Sequence, residues 1–316
     1  MSENIPSHKV AFIFPGQGSQ YVGMGKDWYR SSPIAKRLFD SADGVMGFHI
    51  SYTCFDGTEE DLRKTAITQP AIFIHSAVVY EALREKLSSD SVIAAVAGHS
   101  LGEYTALFAA GTLDFEEGLR LVRLRGELMQ WCGKVRPGTM AAVIGVSEDK
   151  VEEICKDVLA DGIVQPANFN SPGQIVISGD VEAVHAAMEK CKLAGAKMVK
   201  ELVVGGAFHS PLMEPALEEF EKALYRAEIK DPRFPVYSNV TAKPIQKATD
   251  VRPLLLQQLT NPVKWQQSIE NMHKAGVNKF VELGPGKVLQ GLVKRTCSGC
   301  ETIGIDKFSE LGAFTL

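Results

Sequence analysis

The residues of this 316-residue chain that can do chemistry are few and far apart. Gly98-His-Ser-Leu-Gly102 is a Gly-x-Ser-x-Gly pentapeptide, set between a strand-length apolar run, Val92 to Ala97, and a segment of helical composition, Leu101 to Ala110. In that context the glycines permit a sharp turn that lifts a serine hydroxyl toward a helix N-terminus. The free N–H groups there stabilise a developing oxyanion. Ser100 therefore reads as a nucleophile, the alternative being an idle serine in a glycine-rich turn. Strand alternation points His99 away from it, toward a structural role.

A serine hydroxyl needs a base, and near neutral pH histidine is the usual one. The candidates are His49, His75, His99, His185, His209 and His273, with His8 in a polar tail; His75 and His185 fall within helical patterns. His209 differs: it follows a strand and the Gly205-Gly206 break and precedes Ser210-Pro211, which puts it on an irregular loop at a strand end. Strand ends are where sites form in α/β sheets. In an α/β-hydrolase the acid falls between serine and histidine. Here a separate structural unit fills that interval, so a Ser–His dyad without a carboxylate is expected.

Phe14-Pro-Gly-Gln-Gly-Ser-Gln20 follows the first strand. It fails as a dinucleotide fingerprint, because Tyr21 stands where the last glycine belongs, and it lacks the lysine of a P-loop. Gln17 can supply a second backbone N–H to an oxyanion hole; an ordinary loop is the alternative. Arg125 shares one helical stripe with Leu121 and Leu128 and another with Val122 and Met129, so it projects from an apolar face. A guanidinium there needs an anion. That anion is either a structural partner or a substrate carboxylate, which arginine's planar fork suits.

Periodicity supplies the elements that must position these groups. Lys9 to Phe14 reads as a buried strand, Ser32-Pro33 as a helix start followed by Ile34, Leu38, Ala42 and Val45, and Gln69 to Leu87 as a longer helix ending at a Ser88-Ser-Asp90 turn. Asp114 and Glu117 read as a capping box. From Thr139 the order becomes β-α-β-β-α-β: strands at 139–146, 163–169, 174–178 and 197–204, an Asn170-Ser-Pro-Gly173 turn, and helices at 147–159 and 181–193. That order is ferredoxin-like. The expected fold is α/β, a hydrolase-like mainly parallel sheet flanked by helices over 1–134 and 205–316, with an inserted ferredoxin-like subdomain at 135–204.

Composition narrows the functional classes. With 45% hydrophobic and 23% charged residues, 28 Gly, 15 Pro and no low-complexity tract, the chain is neither disordered nor fibrous. A net charge of -4 without a basic run argues against nucleic acid or an anionic membrane as partner. The Met1-Ser-Glu-Asn-Ile-Pro6 start lacks a signal-peptide layout, and no apolar run reaches the ~18 residues of a membrane span, so a cytoplasmic protein is expected. Six scattered cysteines are expected reduced, with Cys297-Ser-Gly-Cys300 read as a loop carrying two thiols rather than a metal or redox site.

Taken together, Phe14–Gln20, Gly98-His-Ser-Leu-Gly-Glu-Tyr104, Arg125-Gly-Glu-Leu-Met-Gln130, Ala207-Phe-His-Ser-Pro-Leu-Met213, Gln258-Leu-Thr-Asn-Pro-Val263 and Glu282-Leu-Gly-Pro-Gly286 resemble the malonyl-CoA:acyl carrier protein transacylases, over residues 9–295. The resemblance implies ping-pong acyl transfer without a cofactor. Ser100 would attack malonyl-CoA with His209 as base, and the backbone N–H groups of Gln17 and Leu101 would hold the oxyanion. Holo acyl carrier protein would then take the malonyl group. Arg125, with Met129 on its stripe, would grip the free carboxylate; Asn168 would line the pocket, and the backbone carbonyl of Gln258 would orient His209. Phe208 in Ala-Phe-His goes with malonyl rather than methylmalonyl in related polyketide acyltransferases. A monomer is expected. A polyketide or malonate decarboxylase setting, a serine thioesterase or esterase, and a non-catalytic docking module stay open as alternatives.

Overall fold

The structure, a computed structural model, describes residues 9–87, 92–312 and 314. The Met1–Pro6 start, His8 and the Ser88-Ser-Asp90 turn lie outside the described residues. Ten strands are seen among them: β1 (Val10–Phe14), β2 (Ile93–Gly98), β3 (Thr139–Ile144), β4 (Val164–Ser171), β5 (Gln174–Gly179), β6 (Met198–Glu201), β7 (Val236–Tyr237), β8 (Pro244–Ile245), β9 (Lys279–Leu283) and β10 (Glu301–Ile305). They form two sheets. The larger has the order β10-β9-β1-β2-β7-β8 and is parallel except for its last pair. The smaller has the order β4-β5-β3-β6 with every neighbour antiparallel.

β1 is buried along its whole length because both faces of the larger sheet are covered. Phe12 and Phe14 join one core with Val96 and the helices Thr65–Arg84 and Phe115–Val135. Ala11 and Ile13 join a second core with Ala95, Ala97 and the helices Trp265–Lys274 and Val288–Thr296. In the smaller sheet Ala141, Val143, Ile175 and Ile177 pack under the helices Glu148–Asp157 and Val181–Leu193, through Val151, Ile154 and Val184. The opposite face of this sheet carries Met140, Asn168 and Val176 toward the larger body. There the chain is stitched across: Phe169 N donates to Val263 O (2.9 Å) and Val263 N to Ala167 O (2.8 Å).

Five sequence expectations need correction. The Pro33–Met46 helix, capped by Ser32 accepting from Ala35 N, buries Ala35, Phe39, Ala42 and Met46, while Ile34, Leu38 and Val45 are only half buried. Phe39 sets this rotation by packing edge-on against Tyr29 and Phe55. The long helix starts at Thr65, upstream of Gln69. β4 continues to Ser171, which narrows the turn to Pro172-Gly173, and β6 stops at Glu201, after which only Leu202 N still donates to β3, at Met140 O (2.8 Å). Lastly, Cys297 and Cys300 are joined as a disulfide rather than free, their Cα atoms 5.6 Å apart across the turn that follows a helix end. Cys54, Cys132, Cys155 and Cys191 are free and buried. No helix among the described residues is long and apolar enough to cross a membrane.

The Phe115–Val135 helix carries Arg125, and Asp114 Oδ1 caps it by accepting from Glu117 N (2.7 Å). Asp114→Ala is expected to cost about 1 kcal/mol, read as a lower urea midpoint at unchanged denaturant slope.

Candidate active site

β2 delivers Ser100 to a turn in which the serine takes φ +52°, a left-handed conformation uncommon outside glycine. The flanking glycines are required by closeness of approach. A Cβ on Gly98 would lie 1.9 Å from the carbonyl carbon of Gly102, and one on Gly102 would lie 2.1 Å from Phe14 O. The strained turn is held on both sides of the serine. Ser100 N donates to Asn239 Oδ1 (2.7 Å), and Ser100 O accepts from Gln258 Nε2 (3.0 Å).

His209, also left-handed at φ +57°, approaches from the opposite side. Its Nε2 lies 2.8 Å from Ser100 Oγ and its Nδ1 2.8 Å from the backbone carbonyl of Gln258. A carbonyl only accepts, so Nδ1 carries the ring proton and Nε2 is left to take the serine proton. Gln165 Nε2 steadies the loop by donating to His209 O (2.8 Å) and Thr260 O (3.0 Å). Burial, then the nearby Arg125 cation, push the His209 pKa down to about 3. The imidazole is therefore neutral at physiological pH.

Arg125 is buried, and its guanidinium is met by neutral groups. Nη1 donates to Gln69 Oε1 (2.7 Å); Nη2 donates to Gln258 Oε1 (3.0 Å) and Ser100 Oγ (3.1 Å); Tyr104 offers its ring face at 5.6 Å. Arg125 makes no salt bridge among the described residues, and its Nε has no hydrogen-bond partner there. A structural ion pair is thus not what placed it on an apolar stripe. Its charge stands beside the nucleophile without a counterion, and burial lowers its pKa.

Gln17, Leu101, Met129, Asn168 and Phe208 line the same cavity as Ser100, Arg125 and His209. The backbone N–H groups of Gln17 and Leu101 donate to nothing among the described residues. Uncommitted donors beside a serine hydroxyl are what an oxyanion requires. Gln258 lies just beneath this lining. His99 also reaches the cavity, but its Nε2 is taken by Asn170 Oδ1 (2.8 Å) and its ring rests against Trp265. His75 is remote and buried against Asp306, and His185 is an exposed partner of Glu201.

Four residues escaped sequence reasoning: Gln69, Glu103, Gln165 and Asn239. Glu103 Oε2 accepts from Gln258 Nε2 (2.6 Å) and Asn239 N (3.2 Å), while Asn239 Nδ2 donates to Gly98 O (2.7 Å). Burial raises the Glu103 carboxyl to about 7. Glu103 did leave a sign, as the sole charge in the apolar run Leu101 to Ala110. Asn239, Gln69 and Gln165 left none, because an amide in a mixed segment has no periodic signature. The assembled groups form a serine nucleophile, a neutral base, two free N–H donors and a fixed cation, a set suited to transferring an acyl group that bears an anion.

A model of the acyl transferase domain family matches residues 11–306 of this chain. The malonyl CoA-acyl carrier protein transacylase of Bacillus subtilis is 44% identical over 299 residues, covering 94% of this chain and 93% of that protein. The acyl carrier protein S-malonyltransferase of Vibrio cholerae superposes with a TM-score of 0.92 at 40% identity, covering 96% of this chain and 99% of that one. A malonyl-transacylase solved in complex with its holo type II polyketide acyl-carrier protein also superposes at 0.92 and 40% identity, covering 96% and 98%.

The depressed His209 pKa predicts how the hydroxyl reacts with pH. The rate at which a neutral sulfonyl fluoride modifies Ser100 should stay level through pH 6.5, the ordinary histidine value, and turn down only well below it. A midpoint near 6.5 would show that the imidazole is not desolvated as described.

Proposed function

The chain belongs to the acyl transferase domain family, and from that premise we propose that it moves a malonyl group from malonyl-CoA to the phosphopantetheine thiol of holo acyl carrier protein, as a supply step for fatty-acid assembly. The observation that carries this reading is Arg125: a buried guanidinium without a salt bridge among the described residues, 3.1 Å from the nucleophile. A carboxylate on the acyl group supplies the missing counterion. The bond from Nη2 to Ser100 Oγ is then exchanged for a charge-assisted one.

In the first half-reaction Ser100 Oγ bonds to the thioester carbon as its proton passes to His209 Nε2, and the oxyanion is held by the N–H groups of Gln17 and Leu101. Collapse expels the CoA thiolate, which takes the proton from His209. In the second half-reaction the carrier thiol gives its proton to His209 and attacks the serine ester. Ser100 then leaves with that proton. The exchange is redox-neutral and calls for no cofactor. Every group named comes from one chain, so a monomer suffices. The relative solved with its holo carrier supports the choice of acceptor, and a reaction of CoA thioesters fits the cytoplasm.

Phe208 lines the cavity, and its ring opposes an α-methyl branch, favouring malonyl over methylmalonyl by the 10–200-fold typical of about one methyl group. A serine hydrolase is disfavoured by the same cavity, since water needs no carboxylate clamp. Intact mass after mixing with malonyl-CoA should show a malonyl adduct that persists until holo carrier protein removes it; rapid loss to free malonate would mean hydrolysis. Arg125→Ala should lower malonyl transfer by about 10- to 150-fold, the equivalent of one charge-assisted hydrogen bond, while sparing acetyl transfer. An unchanged ratio of malonyl to acetyl transfer would remove the clamp from the mechanism.

A further inference from the structure

One sequence motif has no part in acyl transfer, Cys297-Ser-Gly-Cys300. Cys297 caps the C-terminus of the Val288–Thr296 helix and Cys300 directly precedes β10. His273, in the last turn of the Trp265–Lys274 helix, brings Nδ1 to 3.5 Å from Cys300 Sγ. One ligand atom from each of the three residues lies within 4.8 Å of the others, with the cysteines buried and the histidine at the exposed rim. Glu301 pairs with Lys279 where β10 and β9 begin, whereas Ser100 follows the end of β2. The cluster therefore sits at the opposite end of the parallel sheet from the nucleophile.

The spacing has a chemical meaning. A tetrahedral zinc ion, about 2.3 Å from sulfur and about 2.0–2.1 Å from nitrogen, holds those two atoms about 3.5 Å apart. That is the observed distance between Cys300 and His273. The sulfur–sulfur edge of the same tetrahedron is about 3.8 Å, which the bonded pair meets only after reduction. The cysteine spacing is that of structural zinc sites. We propose that the dithiol form of Cys297 and Cys300, together with His273, binds one thiophilic divalent cation of the zinc class, and that the disulfide is the metal-free oxidised form of this site. An external dithiol reduces the pair to two thiols and leaves as its own cyclic disulfide. The cation then displaces two thiol protons to solvent and is held by two thiolates, the imidazole and water.

His273 Nδ1 now faces the carbonyl of Val277 at 3.0 Å. Ligation through that nitrogen moves the ring proton to Nε2 and gives up this hydrogen bond. The bound ion ties two helices on one face of the sheet to the start of β10, so its effect is on stability. The other four cysteines are buried, Cys54 and Cys132 in the large core and Cys155 and Cys191 under the smaller sheet, and none joins such a set among the described residues.

The test uses the full chain, reduced with dithiothreitol, desalted without oxygen and titrated with Co²⁺. One equivalent should produce a thiolate-to-cobalt charge-transfer band with tetrahedral d–d absorption; Zn²⁺ should bleach both and raise the melting temperature. The disulfide form should give neither band. Cys300→Ser should lose the charge-transfer band and His273→Ala the tetrahedral spectrum, while both retain malonyl transfer as a sign of folding. Reduced wild-type protein without the band, or a band that survives Cys297→Ser/Cys300→Ser, would overturn the proposal. If the variants fail to fold, the comparison of oxidised and reduced wild type decides it.

Discussion

The site depends on one constraint, that a positive charge be kept out of water without a salt-bridged counterion among the described residues. Arg125 is wholly buried, and desolvating a lone cation is costly unless dense hydrogen bonding offsets it. Gln69 and Gln258 supply that bonding through neutral amide oxygens, and the Tyr104 ring covers one face. A carboxylate in direct contact would stabilise the guanidinium more, but it would also quench the charge. Glu103, the nearest acid in this network, is held one residue away: the Gln258 amide accepts from Arg125 on one side and donates to Glu103 on the other.

The same charge shapes the base. Arg125 disfavours protonation of His209, adding to the effect of burial, and the carbonyl of Gln258 fixes which ring nitrogen is free. A carboxylate behind the imidazole, as in a full triad, would raise its basicity and pair with the nearby guanidinium. The backbone carbonyl orients the ring without adding a charge. A substrate that brings its own carboxylate would neutralise Arg125 and make the histidine a stronger base once bound. In the proposed reaction, selection of the acyl group and activation of the nucleophile are coupled through one guanidinium.

Two bodies of the fold share the work of holding these groups. Ser100, Arg125, His209 and Gln258 come from the larger body, and Asn168 from the edge strand of the smaller sheet. The backbone bridge between β4 and Val263 holds that strand against the segment just after Gln258. Leu202 and Val204, just past the end of β6, complete the wall of the cavity.

Much of this was legible in the sequence, where local chemistry dictates local structure. The apolar runs at β1 and β2 read as buried strands because both faces of a parallel sheet are covered. The Gly-x-Ser-x-Gly turn declared a nucleophile because two glycines are needed where backbones approach within a Cβ radius. Arg125 stood out because a charge on an apolar stripe must be compensated. The sequence did not disclose by what, since the absence of a salt bridge is a property of everything packed around the guanidinium. Nor did it disclose the amide lattice of Gln69, Asn239 and Gln258, the turn of the Pro33–Met46 helix onto Phe39, or the nearness of His273 to Cys297 and Cys300. Periodicity reports which face of an element is apolar. Contacts between residues distant along the chain arise only when those faces close on one another.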